Sequence, residues 1–160
     1  MKLLIVSDSH RQLEMMYLSV LREQPDAVLH LGDHTYDARR LSQEFPDMPV
    51  LMVRGNCDFS DQEPPESLER VFDGVRIFAV HGHRYGVKQG LLRLELAARQ
   101  SGAQVALFGH THCPYCEEHM GLWLLNPGAC SGRNPTYGIV VLQNNTAQCC
   151  VKKLDSEEKL

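Results

Sequence analysis

The chain has no apolar run approaching the ~18 residues of a membrane span, which leaves no basis for a membrane partner. It also has no excess of positive charge. Its Lys and Arg number 16 against 20 Asp and Glu, a formal net charge of -4. That balance argues against a long nucleic acid as ligand, because such binders present a basic face. Internal repeats, low-complexity tracts and linkers are missing as well, which excludes solenoids and disordered arrays. The apolar start, Leu3 to Val6, stops at Ser7-Asp8 and is shorter than the ~7 residues of a signal-peptide core. The expectation is a cytoplasmic protein with reduced thiols.

What remains is ordinary globular composition: 43% hydrophobic and 22% charged over 160 residues. This fits one domain over 1–160, with the tail after about 153 expected to fray. At this length the chain needs neither disulfide nor metal merely to fold. The surplus is eight His and six Cys.

Periodicity orders the elements. Lys2–Val6, Ala27–Leu31 and Val50–Val53 read as buried strands. Leu13, Met16, Tyr17, Val20 and Leu21 form a helical stripe between the first two, and Ala38, Leu41 and Phe45 form another between the second and third. Asp58–Glu66 reads as a surface loop. Leu68–Phe72 and Val75–Val80 flank Asp73-Gly74, a hairpin signal. Val87, Leu91, Leu94 and Ala98 predict a third helix, followed by a strand at Val105–Phe108 and by hairpins around Met120-Gly121 and Asn144-Asn145. Crossover helices imply parallel strands in the first half, and hairpins imply mixed pairing in the second. The product expected is α/β: two packed sheets with helices outside.

Five strand runs end in ligand-capable clusters: Asp8 and His10; Asp33; Asn56 and Asp58; His81 and His83; His110 and His112. One such residue after a strand is usually a turn or a satisfied polar group, but five in succession point to a site at the carboxyl ends of strands. If the strands share one sheet, all five clusters converge on one edge. Two carboxylates, one amide oxygen and four imidazoles form a mixed N/O set, too large for one tetrahedral zinc. Two ions ~3.5–4 Å apart would use it, with Asp33, alone on its strand, as the bridge.

Asp8-Ser9-His10, Gly32-Asp33, Gly55-Asn56-Cys57-Asp58, His81-Gly82-His83 and Gly109-His110-Thr111-His112 resemble, in order, the blocks of the calcineurin-like metallophosphoesterases. Asn126-Pro127-Gly128-Ala129 resembles a turn of their small prokaryotic phosphodiesterase branch. The resemblance implies a four-layer α/β/β/α sandwich of two mixed β-sheets flanked by helices. It implies a phosphodiesterase acting on small phosphate esters through a metal-bridging hydroxide. It also implies two divalent metal ions per chain, Mn before Zn, Fe, Ni or Mg. One ion would take Asp8, His10, Asp33 and His112; the other Asp33, Asn56, His81 and His110. Cys57 replaces a His that many relatives use toward the leaving group, so that role passes to Cys57 or His83, to a metal-bound water, or to nothing.

Other readings stay open: a scaffold of the same fold, a phosphomonoesterase or a nuclease, and self-association of the chain. Cys113-Pro114-Tyr115-Cys116 copies a redox motif but precedes a hairpin, not the helix that chemistry needs. His30 is expected on a buried strand end, His119 on an exposed strand, and Cys149 and Cys150 on opposite faces of theirs. Arg54, Arg84 and Arg133 are cations that could steer a phosphate, and the role of His34 is open.

Overall fold

A computed structural model describes residues 1–154. In chain order the elements are β1 (Lys2–Val6), α1 (Leu13–Glu23), β2 (Ala27–His30), α2 (Thr35–Glu44), β3 (Val50–Met52), β4 (Ser67–Phe72) and β5 (Val75–Val80). After a single 3₁₀ turn at His83–Tyr85 come α3 (Leu92–Gln100), β6 (Val105–Leu107), β7 (Tyr115–His119), β8 (Leu122–Asn126), β9 (Thr136–Gln143) and β10 (Thr146–Lys153). Leu154 is buried, and the tail expected to fray lies outside the described residues.

Two five-stranded sheets result, in the orders β10-β9-β1-β2-β3 and β4-β5-β6-β8-β7. The crossover strands pair in parallel, β1 with β2, β2 with β3 and β5 with β6, while the hairpins add antiparallel partners at the edges. Alternation along each strand sorts the side chains. Leu3 and Ile5 meet Ile77, Ala79, Leu107 and Leu125 between the sheets. Leu4 and Val6 pack instead with Met16, Val20 and Leu41 of α1 and α2. Phe78, Val80, Ala106 and Phe108 pack with Leu94 and Ala98 of α3. The layers are therefore α, β, β, α, and the central strands β1, β2, β5 and β6, which pair in parallel, are buried on both faces, while the edge strands β4, β7 and β10 are mostly half-buried or exposed.

Three local expectations change. The third helix starts at Leu92, because the 3₁₀ turn occupies the preceding segment and Gly90 takes φ 154°, which no helix permits. Val87 is buried beside the helix without belonging to it. On α1 the buried face holds Glu23 rather than Leu21 or Tyr17, because Tyr137 Oη and Lys152 Nζ each donate to Glu23 Oε1 at 2.8 Å. Finally, the five strands that precede the candidate ligands do not share one sheet. Three lie in the first and two in the second.

No helix among the described residues is long and apolar enough to cross a membrane. The inter-sheet core carries the arrangement, so Leu107→Ala, at a fully buried site on the central strand β6, is expected to cost about 2–5 kcal/mol in urea unfolding.

Candidate metal centre

The loops after β1, β2, β3, β5 and β6 carry all the candidate ligands to one end of the sandwich. Both sheets present their carboxyl edges there, and glycine lets the edges meet. A Cβ on Gly109 would run into Ser7 Oγ and sit 3.0 Å from Asp8 Oδ2. A Cβ on Gly32, at φ 96°, would lie 2.5 Å from the Gly55 nitrogen. Asp8, His10, Asp33, His110 and His112 all have positive φ, between 44° and 68°. Such backbone is costly for residues other than glycine and concentrates at functional sites.

Three side chains form the first group. Ligand atoms of Asp8, His10 and His112 lie within 4.8 Å of one another. His10 Nε2 and His112 Nε2 are 3.4 Å apart, and His112 Nε2 lies 3.1 Å from Asp8 Oδ1. That contact lacks hydrogen-bond alignment, so Asp8 Oδ1 is buried without a hydrogen-bond partner. Its other oxygen, Oδ2, accepts from Ser7 Oγ at 2.7 Å and from the His110 N–H at 3.2 Å. A second group brings together Asp8, Asp33 and His81. His81 Nε2 is 3.1 Å from Asn56 Oδ1 and 3.5 Å from Asp33 Oδ1. His81 Nδ1 donates to the Leu31 carbonyl at 2.8 Å, which leaves Nε2 as a lone pair aimed inward. The His110 ring stacks edge-on against His81 at 5.0 Å between centroids.

An unpaired buried carboxylate oxygen beside an imidazole nitrogen, with a second imidazole crowded against the first, is a donor set that a cation would satisfy. Divalent metal ions fit it. Burial would raise the Asp33 carboxyl, but His81 and the Cys57 N–H, which donates to Oδ1 at 2.8 Å, outweigh it and hold that group below the usual carboxylate value. Burial, then the neighbouring His81, push the His83 and His110 imidazoles below their ordinary values. Neutral imidazoles are the form that ligates.

The supporting residues were only partly visible in the motifs. Asp58 is not aimed at the ligands: its Oδ2 accepts from Asp33 N–H and Gly55 N–H, and its Oδ1 from His34 N–H and Thr35 N–H, at 2.8–2.9 Å. It thus caps α2 and ties the β2 loop to the β3 loop. Asn126 does the same for the second sheet, donating to Gly109 O and Thr111 Oγ1 while accepting from Gly128 N–H. The Asn-Pro-Gly sequence is the turn signal that could have revealed it. His30 is fully buried on β2; its Nδ1 accepts from Gly32 N–H and its Nε2 faces Ser9 Oγ, which donates to Asp37. Nothing in the spacing signalled Ser9 or Asp37.

Cys57 is exposed next to Asn56, and burial of its sulfur with the Asp33 carboxylate beside it pushes the thiol up to about 11. His83 is half-buried, 5.5 Å from His81 between ring centroids, and its Nδ1 is buried without a partner. His34, whose role was open, packs edge-on against His10 at 5.1 Å. Cys113 and Cys116 are free, and β7 follows directly, so no helix activates them. Cys149 is half-buried and Cys150 exposed, as expected for opposite faces, and the side chain of His119 is partly exposed and bonded to Glu117.

Residues 1–146 match the Calcineurin-like phosphoesterase superfamily domain. The chain is 34% identical over 153 residues to the probable metallophosphoesterase YsnB of Bacillus subtilis, covering 92% of this chain and 88% of the relative. It is 27% identical to the phosphodiesterase MJ0936 of Methanocaldococcus jannaschii, over 88% of this chain and 92% of that protein. A crystal structure of a predicted phosphoesterase from Streptococcus pneumoniae superposes with a TM-score of 0.76 at 26% identity, covering 95% and 88% of the two chains.

His30 generates a pH prediction. Burial lowers its pKa from 6.5 to about 4 in the folded chain, with nearby carboxylates opposing. Its stabilising contribution is then present above about pH 6.5 and lost as pH falls toward 4, because the unfolded chain binds the proton first. Urea unfolding at pH 7 and pH 4.5 is expected to differ by roughly 2–3 kcal/mol from this residue, a difference that His30→Gln removes.

Proposed function

We propose, from the premise that the chain belongs to the calcineurin-like phosphoesterase superfamily, that it is a phosphodiesterase acting on small phosphate esters with two divalent ions. A metal-dependent phosphoric ester hydrolase is what the family is; the diester preference and the count of two are our reading. The name of the M. jannaschii relative supports the first. The second is supported by two overlapping ligand groups that share Asp8.

The observation that carries the reading is the convergence of an unpaired Asp8 Oδ1 with His10 and His112 on one side and with Asp33 and His81 on the other. In our assignment Asp8, His10, Asp33 and His112 hold one ion, and Asp33, Asn56, His81 and His110 the other. Mn²⁺ suits this N/O set without thiolate. Bound there, the ions would supply an activated water and neutralise charge growing on the phosphoryl oxygens.

The chain's own contribution is placement. The Leu31 carbonyl fixes the His81 tautomer, and Asp58 and Asn126 hold the ligand loops at fixed separation. Hydrogen bonds like these are made before substrate arrives, so they cost no reorganisation during reaction. In our reading Cys57 and His83 face the leaving group. A thiol with a pKa near 11 is a feeble acid, which favours esters whose leaving groups need no proton, such as aryl esters. Six free cysteines support a reducing, cytoplasmic setting.

Asp33→Asn is expected to lower kcat/KM for bis(p-nitrophenyl) phosphate by about 10³-fold or more while the urea midpoint holds; activity that persists would overturn the assignment. Cys57→His is expected to raise alkyl diester turnover relative to aryl by about tenfold. An unchanged ratio would remove Cys57 from the leaving-group account.

A further inference from the structure

Two arginines from different loops end on one carboxylate beside the metal centre. Arg54, two residues before Asn56, donates from Nη2 to Glu66 Oε1 at 2.6 Å. Arg84, adjacent to His83, reaches the same oxygen with its Nη2 at 2.6 Å. Arg54 also donates from Nη1 to Gln62 Oε1 at 2.5 Å. One carboxylate therefore faces two guanidiniums, and the only other carboxylate of the cavity they line, Asp58, is taken up by four backbone N–H groups. The Arg54 hydrogen bond holds the Glu66 carboxyl below the usual range, so Glu66 bridges the two guanidiniums as a carboxylate.

The cluster lines a cavity of about 270 Å³ together with Asn56, Asp58, His83 and Phe59. Asn56 and His83 also border the candidate metal centre, so the cavity adjoins the place where a phosphoryl group would react. Phe59 is 80% exposed, a large ring left in water beside two cations. Guanidinium forks match phosphate oxygens, and an exposed aromatic ring offers a face on which a base can stack.

We propose that Arg54 and Arg84, bridged by Glu66, form a subsite for a second phosphate of the substrate, with Phe59 stacking on a nucleobase of the same arm. The substrate class is then a short nucleotide diester carrying a terminal phosphate. This rests on the phosphodiesterase reading. Two guanidiniums in the cavity, set against Glu66 and Asp58 on a chain of net charge -4, suit a short ligand rather than a long polymer.

The test is calorimetric titration of the Mn²⁺-loaded protein with thymidine 3′,5′-bisphosphate, thymidine 5′-monophosphate and thymidine 3′-monophosphate. The bisphosphate is expected to bind at least about tenfold more tightly than either monophosphate. Arg54→Gln is expected to reduce that preference below about threefold. The Arg84 side chain is 65% exposed, so Arg84→Gln carries little risk to folding and is expected to have the same effect. Phe59→Ala should weaken all three nucleotides alike, by about fivefold or more. No preference in the natural protein, or a preference intact in both Arg variants, overturns the phosphate subsite; unchanged affinity in Phe59→Ala overturns the stacking. Hydrolysis of bis(p-nitrophenyl) phosphate, which has no second phosphate, is measured separately. If it fails while the preference holds, the hydrolase reading falls and the subsite stands; the reverse result removes the subsite alone.

Discussion

The contact between Gly109 and the Ser7–Asp8 turn is the constraint on which the rest of the site depends. It is where a loop of the second sheet touches a loop of the first. Any side chain at Gly109 would occupy the space of Ser7 Oγ, the same hydroxyl that holds Asp8 Oδ2. The His110 N–H, one residue on, donates to that oxygen as well. One carboxylate thus fixes the distance between the two sheet edges, and His110 and His112 are delivered opposite Asp8 and His10 as a result. Gly32 against Gly55 does the equivalent within the first sheet.

The electrostatic consequence follows from that closeness. Asp8 and Asp33 are both buried, and four imidazoles are packed around them. The arrangement leaves Asp8 Oδ1 without a hydrogen-bond partner and sets imidazole nitrogens against one another. The left-handed backbone at five of the candidate ligand positions adds strain. Such a site persists only because its surroundings over-determine it. Asp58, with four backbone N–H groups on its carboxylate, and Asn126, with three hydrogen bonds, supply that rigidity from outside the ligand set. The inter-sheet core beneath gives those loops a fixed base.

Much of this was legible in the residues. Buried strands announced themselves as short apolar runs because both faces are covered, and the hairpins as Asp-Gly, Met-Gly and Asn-Asn between such runs. The ligand clusters were visible because each follows a strand without delay. Boundaries were less so: Val87 shares the buried face of α3 without being helical, since spacing reports burial and not backbone. The choice of Glu23 over Leu21 for the inner face of α1 depends on Tyr137 and Lys152, more than a hundred residues away. Partition of the five strands between two sheets is likewise a long-range outcome. The His30–Ser9–Asp37 chain and the Arg54–Glu66–Arg84 cluster are built from contacts that no local pattern encodes.

The central claim is that the two carboxyl edges together make a binding site for a pair of divalent cations. Equilibrium dialysis of the folded chain against Mn²⁺, followed by elemental analysis, tests it most directly. The account predicts two ions retained per chain, falling to one or none in Asp8→Asn. Retention of no metal by the folded natural chain would contradict it.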